Sequence, residues 1–214
     1  MLKRIRILNF KKISVFVVLG FVFLLIAAGC LCAEDKKKSP WDKAEDLLLA
    51  KQYPEAIKLY TFAIETNPDH PDLYQANFNR GQAFAAMEKL DEARADFTEA
   101  IRLKPDFKEA YKMRGILNLR TKRYDDAVYD FSRAISLDQK DPYVYANRGT
   151  AYSILGRYDE ALGDYDMAVY LDPKCASCYY NRYQLYIILG MDKEADENFK
   201  KAHDLDSRYQ KLEE

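Results

Sequence analysis

A 34-residue period constrains this chain more than any other feature. Asn79-Arg80-Gly81, Met113-Arg114-Gly115, Asn147-Arg148-Gly149 and Asn181-Arg182-Tyr183 follow one another at that step. Ala93, Ala127, Ala161 and Ala195 recur in the same register. Each is followed four residues later by an aromatic (Phe97, Phe131, Tyr165, Phe199) and seven later by Ala (Ala100, Ala134, Ala168, Ala202). Ala56, Tyr60 and Ala63 form an earlier copy 37 residues upstream, which makes residues 71–73 a lengthened connector. A period of this length points to a solenoid, in which each unit buries its apolar surface only against its neighbours and no single unit folds alone. Composition agrees: 8 Gly and 7 Pro against 17 Tyr and 11 Phe disfavour both disorder and a turn-dense β-sandwich.

With a small residue at position 8, an aromatic at 11, Ala at 20, an aromatic at 24, Ala at 27 and Pro at 32, the unit resembles the tetratricopeptide repeat. Residues 142–175 carry the pattern most fully, in Gly149, Tyr152, Ala161, Tyr165, Ala168 and Pro173. Gln139 and Ser207 depart from it at the Pro position, Asn118 at position 11 and Tyr183 at position 8. The resemblance implies an all-α protein, a right-handed α-solenoid of five helix-turn-helix hairpins. Their spans are residues 37–70, 74–107, 108–141, 142–175 and 176–209, with a tail at 210–214. Small residues at positions 8 and 20 let the two helices of a hairpin approach, and the ring at 24 fills the remaining space.

In this family the first helix of each hairpin lines a concave groove through positions 2, 5, 6, 9, 12 and 13. The resemblance therefore implies groove residues Asn79, Met113, Asn147 and Asn181 at position 6, and Phe78, Lys112, Ala146 and Tyr180 at position 5. Tyr143, Gln82, Thr150 and Gln184 are further candidates. An Asn side chain carries a donor and an acceptor, so a row of them suits the backbone of an extended peptide whatever its sequence. The competing reading leaves each Asn solvated and each following Arg paired to acids on the adjoining helix. A carboxylate-clamp chaperone site is not supported, because Glu109 and Met113 stand where the third helix of such a site needs basic residues.

Residues 1–12 carry five positive charges, and the next 21, Ile13 to Ala33, carry none of either sign. This is the pattern of an export signal. Its end, Ile26-Ala27-Ala28-Gly29-Cys30, resembles the bacterial lipobox, which implies a lipoprotein signal over residues 1–30, lipidation at Cys30 and a tether at 31–38. An uncleaved signal anchor, long enough to span a bilayer, stands beside that reading, as does ordinary cleavage after Ala33. All three place the repeats outside the cytoplasm, in the cell envelope. Leu31 after Cys30 implies a periplasm-facing outer-membrane position in a cell with two membranes. Loss of residues 1–29 takes the net charge from −1 to −6, since they hold five cations and no anion. A mildly acidic body excludes nucleic acid as the expected partner.

Catalytic chemistry has few residues to work with. Cys175-Ala176-Ser177-Cys178 reads as a structural disulfide in an oxidising compartment. The alternative is an envelope thiol oxidoreductase or redox-gated adaptor, since a thiol in the first turn of a helix is acidified. A thioredoxin-like strand-then-helix context is missing around the pair. No metal site is expected, because neither His70 nor His203 lies at ligand spacing from these cysteines. Tyr179 rather than His follows Cys178, which excludes a c-type haem attachment. Acid pairs such as Asp125-Asp126 and Asp159-Glu160 start second helices, where the helix dipole favours them. The expectation is a non-catalytic scaffold without a cofactor, tethered to a membrane and binding a protein or extended peptide. In this it resembles envelope adaptor lipoproteins that dock peptidoglycan enzymes, proteases or pilus and secretion assemblies; the oligomeric state stays open.

Overall fold

The computed structural model describes residues 39–211; the expected signal segment with Cys30, the expected tether at 31–38 and residues 212–214 lie outside the described residues. Ten helices follow one another within them: α1 (Pro40–Leu49), α2 (Tyr53–Thr66), α3 (Leu73–Ala86), α4 (Leu90–Leu103), α5 (Lys108–Arg120), α6 (Tyr124–Leu137), α7 (Pro142–Ile154), α8 (Tyr158–Leu171), α9 (Ala176–Ile188) and α10 (Asp192–Leu205). They pair as five hairpins in the expected repeat frame and stack in chain order as an α-solenoid. The connector between α2 and α3 runs over 67–72, whereas those at 104–107, 138–141 and 172–175 hold four residues. This is the lengthened connector that the 37-residue step requires.

Each hairpin turns at position 15 through a left-handed residue: Lys51, Glu88, Lys122, Gly156 and Gly190, with φ between 59° and 74°. The next backbone N–H reaches back to the position-11 carbonyl, from Gln52 to Leu47, Lys89 to Phe84, Arg123 to Asn118, Arg157 to Tyr152 and Met191 to Tyr186, at 2.8–2.9 Å. This Schellman closure satisfies carbonyls that the helix end leaves open. The last two repeats use Gly there, while the first three absorb a left-handed strain of about 1–2 kcal/mol for a side chain with a Cβ.

The interior is built from bare backbone pressed against rings. A Cβ at Gly81, Gly115 or Gly149 would sit 2.8–2.9 Å from the edge of Phe97, Phe131 or Tyr165 on the partner helix. Ala56, Ala93, Ala127 and Ala161, the opposing small residues at position 20, are fully buried. Repeat five solves the same problem in reverse. Tyr183 takes the buried place at 1% exposure, and the Phe199 ring moves to a half-buried site with its centroid 5.4 Å from Tyr183.

A guanidinium beside each of these glycines ties the stack together. Arg80 donates through Nε and Nη2 to Asp96, Arg114 to Asp130 and Arg148 to Asp164, all at 2.7–2.9 Å. Nη1 of each reaches the preceding hairpin, at Thr61, Thr98 and Ser132, each 3.0 Å away. In repeat five the acid has changed sides: Arg182 donates to Asn198 within its own repeat and pairs with Asp166 of the one before, at 2.6 Å. Asp130 is almost wholly buried, and burial pushes its carboxyl above the ordinary carboxylate value, an effect that the Arg114 bonds only partly offset. Removing one partner of such a pair strands a buried charge at a cost of about 3–5 kcal/mol.

Two glycines with opposite surroundings test this account. Gly115→Ala forces the Phe131 ring aside, and overpacking costs about 1–3 kcal/mol, which outweighs the better helix propensity of Ala. A Cβ at Gly163, in the middle of α8, would meet nothing within 4 Å, so Gly163→Ala stabilises by about 0.5–1 kcal/mol. Urea unfolding of the full chain and the two variants reads both signs.

Candidate binding groove

Position 5 of the repeat makes the same contact in every hairpin, with the residue 29 positions later that ends the repeat. Trp41 stacks on His70 with centroids 4.6 Å apart, Phe78 meets Phe107 edge-on at 4.9 Å, and Tyr180 packs on Tyr209 at 4.7 Å. Lys112 makes the contact as an ion pair with Asp141 at 2.7 Å. Ala146 makes it as part of an apolar cluster with Cys175 and Cys178. Position 5 thus clasps the first helix of each repeat to the end of that repeat, which in repeats one to four leads into the next hairpin. Phe78 and Ala146, at 7% and 4% exposure, offer almost no side-chain surface to a partner, and Lys112 and Tyr180 have partners inside the chain.

Position 6 divides in the same way. Asn79 is buried: Nδ2 donates to the Tyr60 hydroxyl and Oδ1 accepts from Gln75 Nε2, both at 3.1 Å. Met113 packs against the cluster around Phe78. Asn147 and Asn181 are half-buried, and neither side chain has a hydrogen-bond partner among the described residues. Gln82 and Gln184 are half-buried as well. Thr150 returns its hydroxyl to the Ala146 carbonyl and meets the Tyr165 hydroxyl at 3.2 Å, while Tyr143 stands 51% exposed.

At position 6 the first-helix face is therefore committed to internal contacts in repeats two and three and open in repeats four and five, while Leu49, at position 13 of repeat one, is exposed at the far end. Three exposed residues extend the open half: Ile154 at position 13 of repeat four, and Ile187 and Ile188 at positions 12 and 13 of repeat five. Positions 12 and 13 belong to the family's groove set, and the exposure of these isoleucines is decided by packing rather than by residue type.

A cavity of about 150 Å³ lies between α5, α6 and α7, lined by Lys108, Glu109, Lys112, Asp138, Asp141 and Val144 among others. Its cations are already matched, Lys108 to Asp138 and Lys112 to Asp141. The Lys108 bond also holds the Asp138 carboxyl below its ordinary value. The Cys175–Cys178 disulfide sits at the start of α9, where Cys175 Sγ accepts the Cys178 N–H and caps the helix. With the two cysteines 3% and 0% exposed, an exchanging thiol has no open path to sulfur, and the pair acts as a staple at the junction of repeats four and five. Among the described residues no cluster of His, Cys, Asp or Glu could hold a metal ion, and no helix is long and apolar enough to cross a membrane.

Stacked hairpins joined by a guanidinium bridge and a position-5 clasp define a helical-repeat protein with one continuous first-helix face. Three tetratricopeptide repeat family models match residues 39–106, 78–143 and 142–175, an unbroken run over well more than half of the sequence. The chain belongs to the tetratricopeptide repeat family. It is 31% identical over 74 residues to Hsp70-Hsp90 organizing protein 2 of Arabidopsis thaliana, covering 35% of this chain and 12% of that one. It is 34% identical over 107 residues to the human DnaJ homolog subfamily C member 3, covering 47% and 20%. The curated relatives are thus matched over a small fraction of their own length. Among solved structures, MamA from Desulfovibrio magneticus RS-1 aligns with a TM-score of 0.74 at 20% identity, over 83% of this chain and 98% of that one. YrrB, described as a TPR protein with an unusual peptide-binding site, aligns with a TM-score of 0.70 at 22% identity, over 82% and 90%. At these identities the likeness is one of fold.

Two buried hydroxyls make the scaffold sensitive to alkali. Burial pushes both the Tyr60 and the Tyr165 phenol up to about 12, against bonds from Asn79 and Thr150 that act the other way. An unfolded chain releases these protons near pH 10. Their contribution to stability is therefore complete below about pH 10 and is lost as pH rises towards 12. Phenolate absorbance of the full chain shows a late component that coincides with loss of helical signal, and Tyr60→Phe with Tyr165→Phe removes that component.

Proposed function

We propose that this protein is a non-catalytic scaffold whose open C-terminal half-groove binds an extended segment of a partner protein. One observation carries the reading: exposed Tyr143, Ile154, Ile187 and Ile188 alternate with the unpartnered amides of Asn147 and Asn181 on one set of first-helix positions. Apolar anchors at intervals give affinity, and amides between them bond peptide backbone without reading sequence. The peptide-binding site in the description of YrrB supports this use of the fold. The names of the curated relatives, which include Hsp70-Hsp90 organizing proteins, support a role in binding other proteins. A carboxylate clamp is not part of the proposal, because Glu109 and Met113 hold the third-helix positions and Lys112 is paired to Asp141.

The proposal extends to location. The basic start, the apolar run and Ala28-Gly29-Cys30 support a lipid anchor at Cys30 that holds the repeats at the surface of a membrane in the cell envelope. Peptidoglycan enzymes, proteases and pilus or secretion assemblies are the partner classes found there.

A photocrosslinker at Tyr143, in the full chain in living cells, captures a discrete envelope protein, and one at Asp159 on a second helix does not. Asn147→Ala with Asn181→Ala lowers that yield while stability changes by less than about 0.5 kcal/mol, since no internal bond is lost. Equal capture from both sites removes the groove reading. In a separate test, Cys30→Ser abolishes incorporation of labelled fatty acid and moves the protein to the soluble fraction. Retention on membranes after that change assigns the segment as an uncleaved anchor.

A further inference from the structure

The five repeats differ sharply at position 11. Phe84, Tyr152 and Tyr186 place a half-buried ring there, and cations lie against two of them: Arg80 and Lys89 within 6.0 Å of the Phe84 ring, and Arg148 and Arg157 at 5.7 and 4.5 Å from that of Tyr152. Repeat three has Asn118 instead. A cleft of about 350 Å³ opens beside it between α4, α5 and α6, lined by Arg94, Arg114, Asn118, Asp126, Tyr129 and Asp130.

Asn118 is 3% exposed, and its Nδ2 donates to Asp130 Oδ2 at 2.9 Å. That bond fixes the amide orientation, because a flip would set Oδ1 against a carboxylate. Oδ1 is then buried with no donor among the described residues, and it is the one buried side-chain polar atom there left in that state. An acceptor in this position costs about 1–3 kcal/mol until a donor reaches it. The charges around it cancel. Arg114 is spent on Asp130 and Thr98, Arg94 leans outward to Asp91 at 3.6 Å, and Asp126 faces them from the start of α6. A lining without net charge suits a neutral occupant. Tyr129, 59% exposed, supplies a free aromatic face at the rim.

We propose that this cleft takes a tyrosine or tryptophan side chain of a bound polypeptide, which supplies from outside the ring that repeat three lacks. The ring occupies the space that Phe84 and Tyr152 fill in their own repeats, under the guanidinium of Arg114 and against Tyr129. Its phenol O–H or indole N–H donates to Asn118 Oδ1. Phenylalanine fills the space but leaves the acceptor unmet. No residue of this cleft belongs to the proposed half-groove, so either site stands if the other fails.

The test titrates the full chain in detergent with N-acetyl-tryptophanamide, N-acetyl-tyrosinamide and N-acetyl-phenylalaninamide, read by NMR at the Asn118 side-chain amide. The first two shift that resonance saturably, and the phenylalanine amide binds about tenfold more weakly, the cost of one unmade buried bond. Asn118→Tyr fills the cleft from within and abolishes the response of the backbone amides around it. Tyr129→Ala, an exposed change that leaves the core intact, weakens binding. Absence of a saturable shift, meaning that the cleft holds water only, overturns the proposal. So does equal binding of the phenylalanine amide, or an undiminished backbone response in Asn118→Tyr.

Discussion

The approach of an aromatic ring to bare backbone at position 8 sets the geometry on which the rest of the structure depends. Where Gly81, Gly115 and Gly149 meet Phe97, Phe131 and Tyr165, there is no room for a methyl group, and the helices of a hairpin sit as close as the ring allows. That spacing brings the neighbouring arginine within reach of an aspartate on the second helix and of a hydroxyl in the preceding hairpin at once. One residue pair, Arg-Gly, therefore fixes both the fold of a repeat and its attachment to the previous one. Since a hairpin of this kind has no core of its own, the attachment is part of its stability.

Commitment of side chains to this internal work is uneven along the face that the first helices share. At Phe78 and Asn79 the side chains are consumed by packing and by the bond to Tyr60. At Asn147 and Asn181 the same repeat position leaves amides unused, with isoleucines exposed nearby in the repeat pattern. Between Asn79 and Asn147 the difference follows what stands at position 24 of the preceding repeat: Tyr60 has a hydroxyl that takes the Asn79 amide, whereas Phe131 has none to offer Asn147. Before Asn181 the hydroxyl is present on Tyr165, but it meets Thr150 instead.

The fold was legible because its determinants repeat as letters: small residues at 8 and 20, rings at 24 and Ala at 27 recur at one step. The arginine-to-acid bridge was legible in outline, as the competing reading of the Asn-Arg-Gly triplet. The position-5 clasp was not. Its partners lie 29 residues apart and change chemistry each time, from Trp41 and His70 to Lys112 and Asp141 to Ala146 and Cys175, so no letter recurs. Asn118 and Tyr183 were visible as departures, but their outcomes depend on packing. At Tyr183 the partner ring moves outward to make room, and at Asn118 nothing moves in to fill the space.

Those unlike clasps make the solenoid a row of joints of different material. Salt screens the half-exposed Lys112–Asp141 pair and leaves the packed rings at Trp41, Phe78 and Tyr180 almost unaffected. The buried Cys175–Cys178 bridge makes the joint after repeat four indifferent to salt as well. Bending stiffness along the axis is thus set joint by joint, and the ionic composition of the surroundings tunes it at the centre of the array while both ends keep their curvature.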